Sequence, residues 1–91
     1  MDLYNNIAEV MQKKVLELID EYSKDEEPFF IYYPTHLVHG PILPYEKDRG
    51  KSELGIYGDF VLQADRHMGE IIDKLKEKNI YEDTIVVFTS D

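Results

Sequence analysis

The sequence predicts an α/β fold in which a helix is followed by a βαβ unit, that is, two parallel strands joined through a second helix. Apolar residues recur at helical spacing in two long stretches, and each stretch precedes a short apolar run, "FFIYY" or "TIVVF". Such runs without alternation are typical of strands covered on both faces of a sheet. Two strands alone would leave their edges unpaired. We therefore expect residues 1–91 to be one partial domain, a fragment of a larger mixed sheet.

The first helix is predicted over residues 3–24. Ile7, Met11, Val15, Leu18 and Tyr22 follow one another at helical spacing, and charged residues occupy the opposite side. The polar run "SKDEEP" ends the helix because its proline cannot continue one. The first strand, residues 29–33, follows directly.

A long connection, residues 34–55, separates this strand from the second helix, predicted over residues 56–78. Proline and glycine punctuate the connection, and connections of this length usually have a function. The helix carries an apolar stripe that includes Tyr57 and Val61, with Arg66 among the residues expected to face water. Asn79 is a plausible left-handed cap, and a turn leads into the second strand, residues 84–88.

The overall composition excludes several classes of function. The 91 residues carry a net charge of −9, which repels phosphate backbones and anionic lipid surfaces, so we expect neither nucleic acid nor a membrane as partner. The N-terminus is acidic and amphipathic and does not resemble a signal peptide. No cysteine is present, which excludes a thiolate metal site or a cysteine nucleophile within these residues.

Three residues that could act in catalysis or metal binding follow the predicted strands. His36 and His39 come after strand 29–33, and Asp91 comes after strand 84–88, so parallel strands would bring all three to one sheet edge. A histidine there could donate a proton, and a carboxylate suits calcium or magnesium. The spacing alone leaves open that they are surface residues. A transition-metal site at His36 and His39 would have too few ligands.

The order of the motifs resembles the middle of a type I sulfatase, in the alkaline-phosphatase-like superfamily. The resemblance rests on "PFFIYYPTHLVHGP", "KSELGIYGDFVLQADRHMGEIIDKL" and "YEDTIVVFTSD", and covers residues 28–91. It implies that His39, in His39-Gly40-Pro41, is the catalytic histidine at the sulfate ester, and that Asp91 is a ligand of the calcium ion. His36 matches a substrate-binding position that is histidine in some members only.

Asp65 and Gly69 also match family positions that look structural. We assign Asp65 to helix packing or a local hydrogen bond, and we expect Gly69, beside the apolar stripe, to let the helix approach a sheet closely. The nucleophile of the family, a formylglycine made from the first residue of Cys/Ser-x-Pro-x-Arg, has no counterpart here. Ser23, Ser52 and Ser90 lack the proline and arginine context. We therefore expect the 91-residue chain alone to be inactive, although the resemblance implies that its parent is a sulfuric ester hydrolase with calcium as cofactor.

Other functions stay open at this point. A phosphoric or phosphonic ester hydrolase of the same superfamily would share the sheet, and a small α/β interaction module would need no catalysis. The parent of a sulfatase fragment is expected to act on a sulfate ester. Its localisation stays open, with export to the periplasm or outside the cell as one option. An excised fragment with open strand edges is expected to form a homo-oligomer.

Overall fold

The computed structural model describes residues 3–35, 45–53 and 55–89. Two long helices dominate these residues: α1 spans Leu3–Tyr22 and α2 spans Gly55–Glu77. Two short 3-10 helices, Glu46–Asp48 and Tyr81–Asp83, lie before and after α2. The predicted helices are therefore confirmed: α1 begins at the expected residue, and the other three ends differ from the expected ones by one or two residues.

The two long helices lie side by side and run in the same direction. Near their N-terminal ends, Ala8 of α1 packs in one cluster with Phe60 of α2. Towards their C-terminal ends, Val15 and Ile19 of α1 pack with Leu75 of α2. Because later residues of one helix meet later residues of the other, the pair is parallel.

The C-terminal end of α2 is closed by a left-handed residue, as the sequence predicts. Asn79 has φ 61°, its N–H donates to Lys76 O at 3.0 Å, and the N–H of Ile80 donates to Leu75 O at 3.0 Å. This pair of bonds is the Schellman arrangement, in which Ile80 also packs near Leu75. The cap satisfies helix carbonyls that would otherwise lack partners.

The predicted α/β fold class is wrong for the described part of the chain, which is all-helical. Residues 29–33 and 84–88 carry the apolar composition of strands, yet neither run is part of a β-ladder. A strand is defined by hydrogen bonds to a neighbouring strand, and the described residues offer none to either run. Apolar composition indicates a preference for a sheet but cannot supply the partner.

The two apolar runs are also not covered on both faces as predicted. Ile31 and Tyr33 pack against the cluster of Val15, Ile19 and Leu75, whereas Phe30 is 89% exposed and Tyr32 80% exposed. This alternation is the side-chain period of a β-conformation. In the second run, Ile85 and Val87 are 91% and 80% exposed. Each run therefore presents an uncovered apolar face.

Candidate functional site

The three residues that the sequence singles out lie outside the described residues. His36 and His39 belong to residues 36–44, and Asp91 follows residue 89, so the structure gives no geometry for any of them. It does describe what flanks the histidines in sequence. Residues 29–35 precede them and residues 45–53 follow them, and both stretches contact the helix pair through polar side chains.

Arg66 is the centre of this polar network. Its guanidinium pairs with Asp48 through Nε at 3.2 Å and Nη2 at 2.8 Å, and with Glu9 through Nη2 at 2.7 Å and Nη1 at 3.4 Å. Nη1 also donates to Glu70 at 3.2 Å. The planar fork of arginine suits such two-point pairing with carboxylates. One side chain of α2 thus joins α1 and the 3-10 helix Glu46–Asp48.

The electrostatics of the cluster favour the charged forms of its members. The hydrogen bond to Asp48, with that to Glu9, holds the pKa of Arg66 above its ordinary value despite partial burial. Burial would raise the pKa of Glu9, but hydrogen bonds from Arg66, Gln63 and His67 outweigh it, so this pKa lies below its ordinary value of 4.5. Arg66 and Glu9 are therefore both ionised near neutral pH.

Gln63 connects the same network to the backbone that follows residue 44. Its side chain is 1% exposed, its Nε2 donates to Glu9 at 2.9 Å, and its Oε1 accepts from the N–H of Tyr45 at 3.2 Å. The Tyr45 ring lies under the Arg66 guanidinium, 5.7 Å from ring centroid to Cζ, as in a cation–π pair. Tyr45 is thereby held through both its backbone and its ring.

Gln12 connects the network to the backbone that precedes residue 36. Its Oε1 accepts from the Tyr33 hydroxyl at 3.2 Å, and its Nε2 donates to His67 O at 2.8 Å and to Glu70 at 3.0 Å. Burial raises the pKa of Tyr33 to about 12, so its hydroxyl stays a donor near neutral pH. Both flanks of residues 36–44 therefore reach the same helix pair.

Asp59 forms a second attachment of the loop after residue 44. Its carboxylate is buried, and it accepts from the N–H of Gly50 at 2.7 Å and from that of Ser52 at 2.8 Å. Gly50 has φ 72°, a value that favours glycine. Sequence analysis did not predict this role. The sequence feature that could have predicted it is an aspartate placed early in a helix, just after a loop that contains glycine.

His67 is the one histidine whose surroundings the structure describes. It is 4% exposed, its Nε2 hydrogen-bonds Glu9, and its Nδ1 is buried without a partner. We read His67 as a structural residue of the helix interface. Among the described residues, no group of three or more acidic, histidine or cysteine side chains could hold a metal ion.

Asp65 is exposed on α2, so the helix-packing role expected for it is not seen among the described residues. A Cβ added to Gly69 would meet nothing within 4 Å. The described residues form no sheet that this glycine could approach, so its expected role stays a prediction. Two predictions for the apolar stripe of α2 are wrong. Tyr57 and Val61, assigned to its buried stripe, are 64% and 43% exposed.

The sequence matches the Sulfatase family over residues 1–91, and the chain belongs to this family. It is 42% identical over 86 residues to an N-acetylgalactosamine-6-O-sulfatase of Bacteroides thetaiotaomicron, covering 94% of this chain. It is 36% identical over 85 residues to human arylsulfatase H, covering 93% of this chain. Human N-acetylgalactosamine-6-sulfatase is 30% identical over 86 residues, covering 94%. The family predicted from the motifs is thus confirmed.

The chain spans only a small part of these relatives. The matched region is 16% of the Bacteroides protein and 15% of human arylsulfatase H. No solved structure gives a significant match. Within the part of the chain that the structure describes, neither long helix is apolar enough over its length to cross a membrane.

Proposed function

We propose that these residues supply an active-site histidine and one metal ligand to a sulfatase that hydrolyses a sulfate monoester. Membership of the sulfatase family over residues 1–91 is the observation that carries the proposal. The position of His39 in His39-Gly40-Pro41, after an apolar run, supports its assignment as the catalytic residue. His36 is proposed as a weaker contact to the substrate.

In this proposal His39 assists the departure of the leaving group. Cleavage of the bond between sulfur and the ester oxygen leaves that oxygen with negative charge, and a positioned imidazolium gives it a proton. The alcohol then leaves neutral. The sulfuryl group passes in the same step to a nucleophile, the formylglycine expected elsewhere in the sulfatase, which forms a bond to sulfur as the ester S–O bond breaks. For its part the histidine has to reach the ester oxygen in its protonated form.

Asp91 is proposed as one oxygen ligand of a calcium ion. Such an ion supplies positive charge beside the sulfate oxygens. Calcium takes about 6–8 oxygen ligands, and the described residues contain no group of acidic side chains that could provide them. The remaining ligands, like the formylglycine nucleophile, would come from other parts of the sulfatase.

A sulfated sugar is the substrate class to test first. Two of the three relatives described above are named as sulfatases of N-acetylgalactosamine 6-sulfate, one of them at 42% identity. Human arylsulfatase H is named for aryl sulfates in general. A phosphoric or phosphonic ester hydrolase is the alternative reaction class, and no relative described above carries such a name.

The test is hydrolysis by the full-length protein that contains this segment, supplied with calcium. We expect sulfate release from 4-nitrophenyl sulfate and from N-acetylgalactosamine 6-sulfate, and little release of phosphate from 4-nitrophenyl phosphate. Chelation of calcium should abolish turnover, and its return should restore it. A protein with a mature nucleophile that hydrolyses only the phosphate ester would overturn the sulfatase assignment in favour of the alternative.

A further inference from the structure

We infer that Arg66 is a positioning residue that, through Asp48, fixes the chain immediately after the histidine segment to the helix pair. The attachment is a property of the described residues alone. Its effect on turnover rests on the proposed function, because residues 36–44 carry His39. Arg66 itself is assigned no contact with substrate.

The first support is the two-point geometry at Arg66. The guanidinium meets Asp48 through two nitrogens, at 3.2 and 2.8 Å, and Asp48 is only 6% exposed. It meets Glu9 of α1 in the same two-point manner. Two-point pairs fix orientation as well as distance. Arg66 therefore locks the 3-10 helix Glu46–Asp48 in one orientation relative to both long helices.

The second support is that α2 holds the same loop at two other places. Gln63 accepts from the N–H of Tyr45, and Asp59 accepts from the N–H groups of Gly50 and Ser52. Residues 59, 63 and 66 follow one another at intervals of four and three, so they share one face of α2. This face binds the loop from residue 45 to residue 52.

The third support is that the other flank reaches the same arginine. The Tyr33 hydroxyl donates to Gln12, Gln12 donates to Glu70, and Glu70 accepts from Arg66 Nη1. Residues 36–44 connect Thr35 with Tyr45 along the chain. Both ends of the connecting segment are thus fixed by hydrogen bonds that converge on Arg66.

Loss of Arg66 would act on the loop more than on the helices. Asp48 would become a buried carboxylate without its cation, and the loop that carries it would move outward to reach water. A hydrogen bond to a charged group contributes enough to change the open population of such a loop by about tenfold to hundredfold. Because a displacement of about 1 Å can cost about 10²-fold in rate, His39 would lose its alignment.

The experiment compares Arg66→Gln with Lys74→Gln in the full-length sulfatase. Lys74 is a matched control because it also lies on α2, also pairs with an α1 carboxylate, Asp20 at 3.3 Å, and has the same 21% side-chain exposure. It does not contact residues 45–53 in any ion pair of the described chain. Hydrogen exchange by mass spectrometry reports on peptides from residues 45–53.

We expect Arg66→Gln to increase exchange in residues 45–53 at least tenfold and to lower kcat per folded enzyme about tenfold or more, with a smaller change in KM. Lys74→Gln should leave the exchange of residues 45–53, kcat and KM unchanged. The pH profile of kcat/KM distinguishes positioning from partial unfolding. In the native enzyme kcat/KM declines at basic pH because the general acid loses its proton, and displacement of that acid removes this decline. A smaller folded fraction instead lowers kcat/KM by the same factor at every pH.

A second pair of variants separates the two carboxylates of the cluster. Asp48→Asn should reproduce the effect of Arg66→Gln on loop exchange and kcat, whereas Glu9→Gln should chiefly loosen α1 from α2. Unchanged exchange in residues 45–53 for both Arg66→Gln and Asp48→Asn would overturn the inference whatever the activity. If both variants show increased exchange but the wild-type protein lacks sulfatase activity, the attachment is retained and the proposed function is rejected.

Discussion

Asp59 is a buried carboxylate that accepts two backbone N–H groups of the loop before α2. Asp59→Ala removes both hydrogen bonds, and a hydrogen bond to a charged group contributes about 1.5–3 kcal/mol. We therefore expect the free energy of unfolding of the chain to fall by at least about that amount. Urea titration followed by circular dichroism measures it, with the two-state character of the transition checked by a second probe.

Asp65→Ala is the matched control for this prediction. Asp65 lies on the same helix and is exposed, and substitutions at such surface positions usually change stability by about 0.5 kcal/mol or less. Equal losses for the two variants would show that removal of a negative charge from α2 matters, and not the two loop hydrogen bonds of Asp59.

His39 and His36 lead to a second prediction at this scale. In the full-length sulfatase, His39→Ala should lower kcat about 10²–10⁴-fold, the usual contribution of a positioned acid. His36→Ala should have a smaller effect because its proposed role is an accessory contact. Steady-state kinetics with 4-nitrophenyl sulfate measures both, and thermal unfolding of each variant serves as the control. Equal losses in the two variants would remove the reason for choosing His39.

The helical pattern in the sequence did not reveal which residues the polar side chains of α2 contact. Arg66 was expected to face water because a helical pattern sorts side chains by hydropathy alone. Its carboxylate partners Glu9 and Asp48 lie 57 and 18 residues away along the chain, and no periodicity within a helix reports contacts so distant. The buried roles of Gln63 and Asp59 were missed for the same reason.

At the scale of the elements, the contact between α1 and α2 is polar in its middle and apolar towards its ends. Gln12, Gln63 and His67 are buried between the cluster of Ala8 with Phe60 and the cluster of Val15, Ile19 and Leu75. The polar groups require matching partners, so they restrict the helices to one register. The apolar clusters supply non-directional attraction on either side.

Acid should weaken this helix pair through Glu9. Its pKa is lower in the folded chain than its ordinary value of 4.5, so the ionised form stabilises the fold. This contribution is fully present above about pH 4.5 and is lost as the pH falls through the lower, folded pKa. Urea unfolding from pH 7 to pH 3 should therefore show stability decreasing on the acid side.

Glu9→Gln should be less stable than the native chain at pH 7 and should approach it at acidic pH. The neutral amide keeps the size of the side chain but cannot offer charge to Arg66. A difference between the two proteins that stays constant from pH 7 to pH 3 would contradict the assignment to Glu9. Other carboxylates titrate in both proteins, so the comparison isolates this one.

The elements themselves were predictable to different degrees. Both long helices follow from local periodicity and capping, which the sequence contains in full, and the left-handed Asn79 follows from its place after the last apolar turn. Runs 29–33 and 84–88 were expected to be strands, but a strand depends on a neighbour. The histidine segment and Asp91 lie outside the described residues, and their roles stay predictions.

At the scale of the whole molecule, uncovered apolar side chains on runs 29–33 and 84–88 predict self-association of the 91-residue chain. Phe30, Tyr32, Ile85 and Val87 are each at least 80% exposed, and exposed apolar patches and unpaired edges recruit partners. The net charge of −9 opposes association, but salt screens it beyond about 8 Å. We expect sedimentation in moderate salt to show dimers or larger species at high concentration.

A pair of variants tests the origin of this association. Phe30→Glu combined with Val87→Glu should shift the chain towards monomer. Lys13→Gln combined with Lys14→Gln changes the net charge by the same amount at exposed positions of α1 and should not. A native chain that stays monomeric at high concentration would refute the prediction of a homo-oligomer.

The contacts between α1 and α2 join residues far apart in the chain, and this has a consequence for synthesis on the ribosome. Glu9 and Arg66 are separated by 57 positions. At about 5–20 residues per second, translation takes about 3–11 s to cover that interval. During this time the face of α1 that packs against α2 lacks that partner, and a helix of 20 residues is by itself only marginally stable in water. We therefore expect the pairing of α1 with α2, and the stability that it adds, only after α2 has left the ribosome.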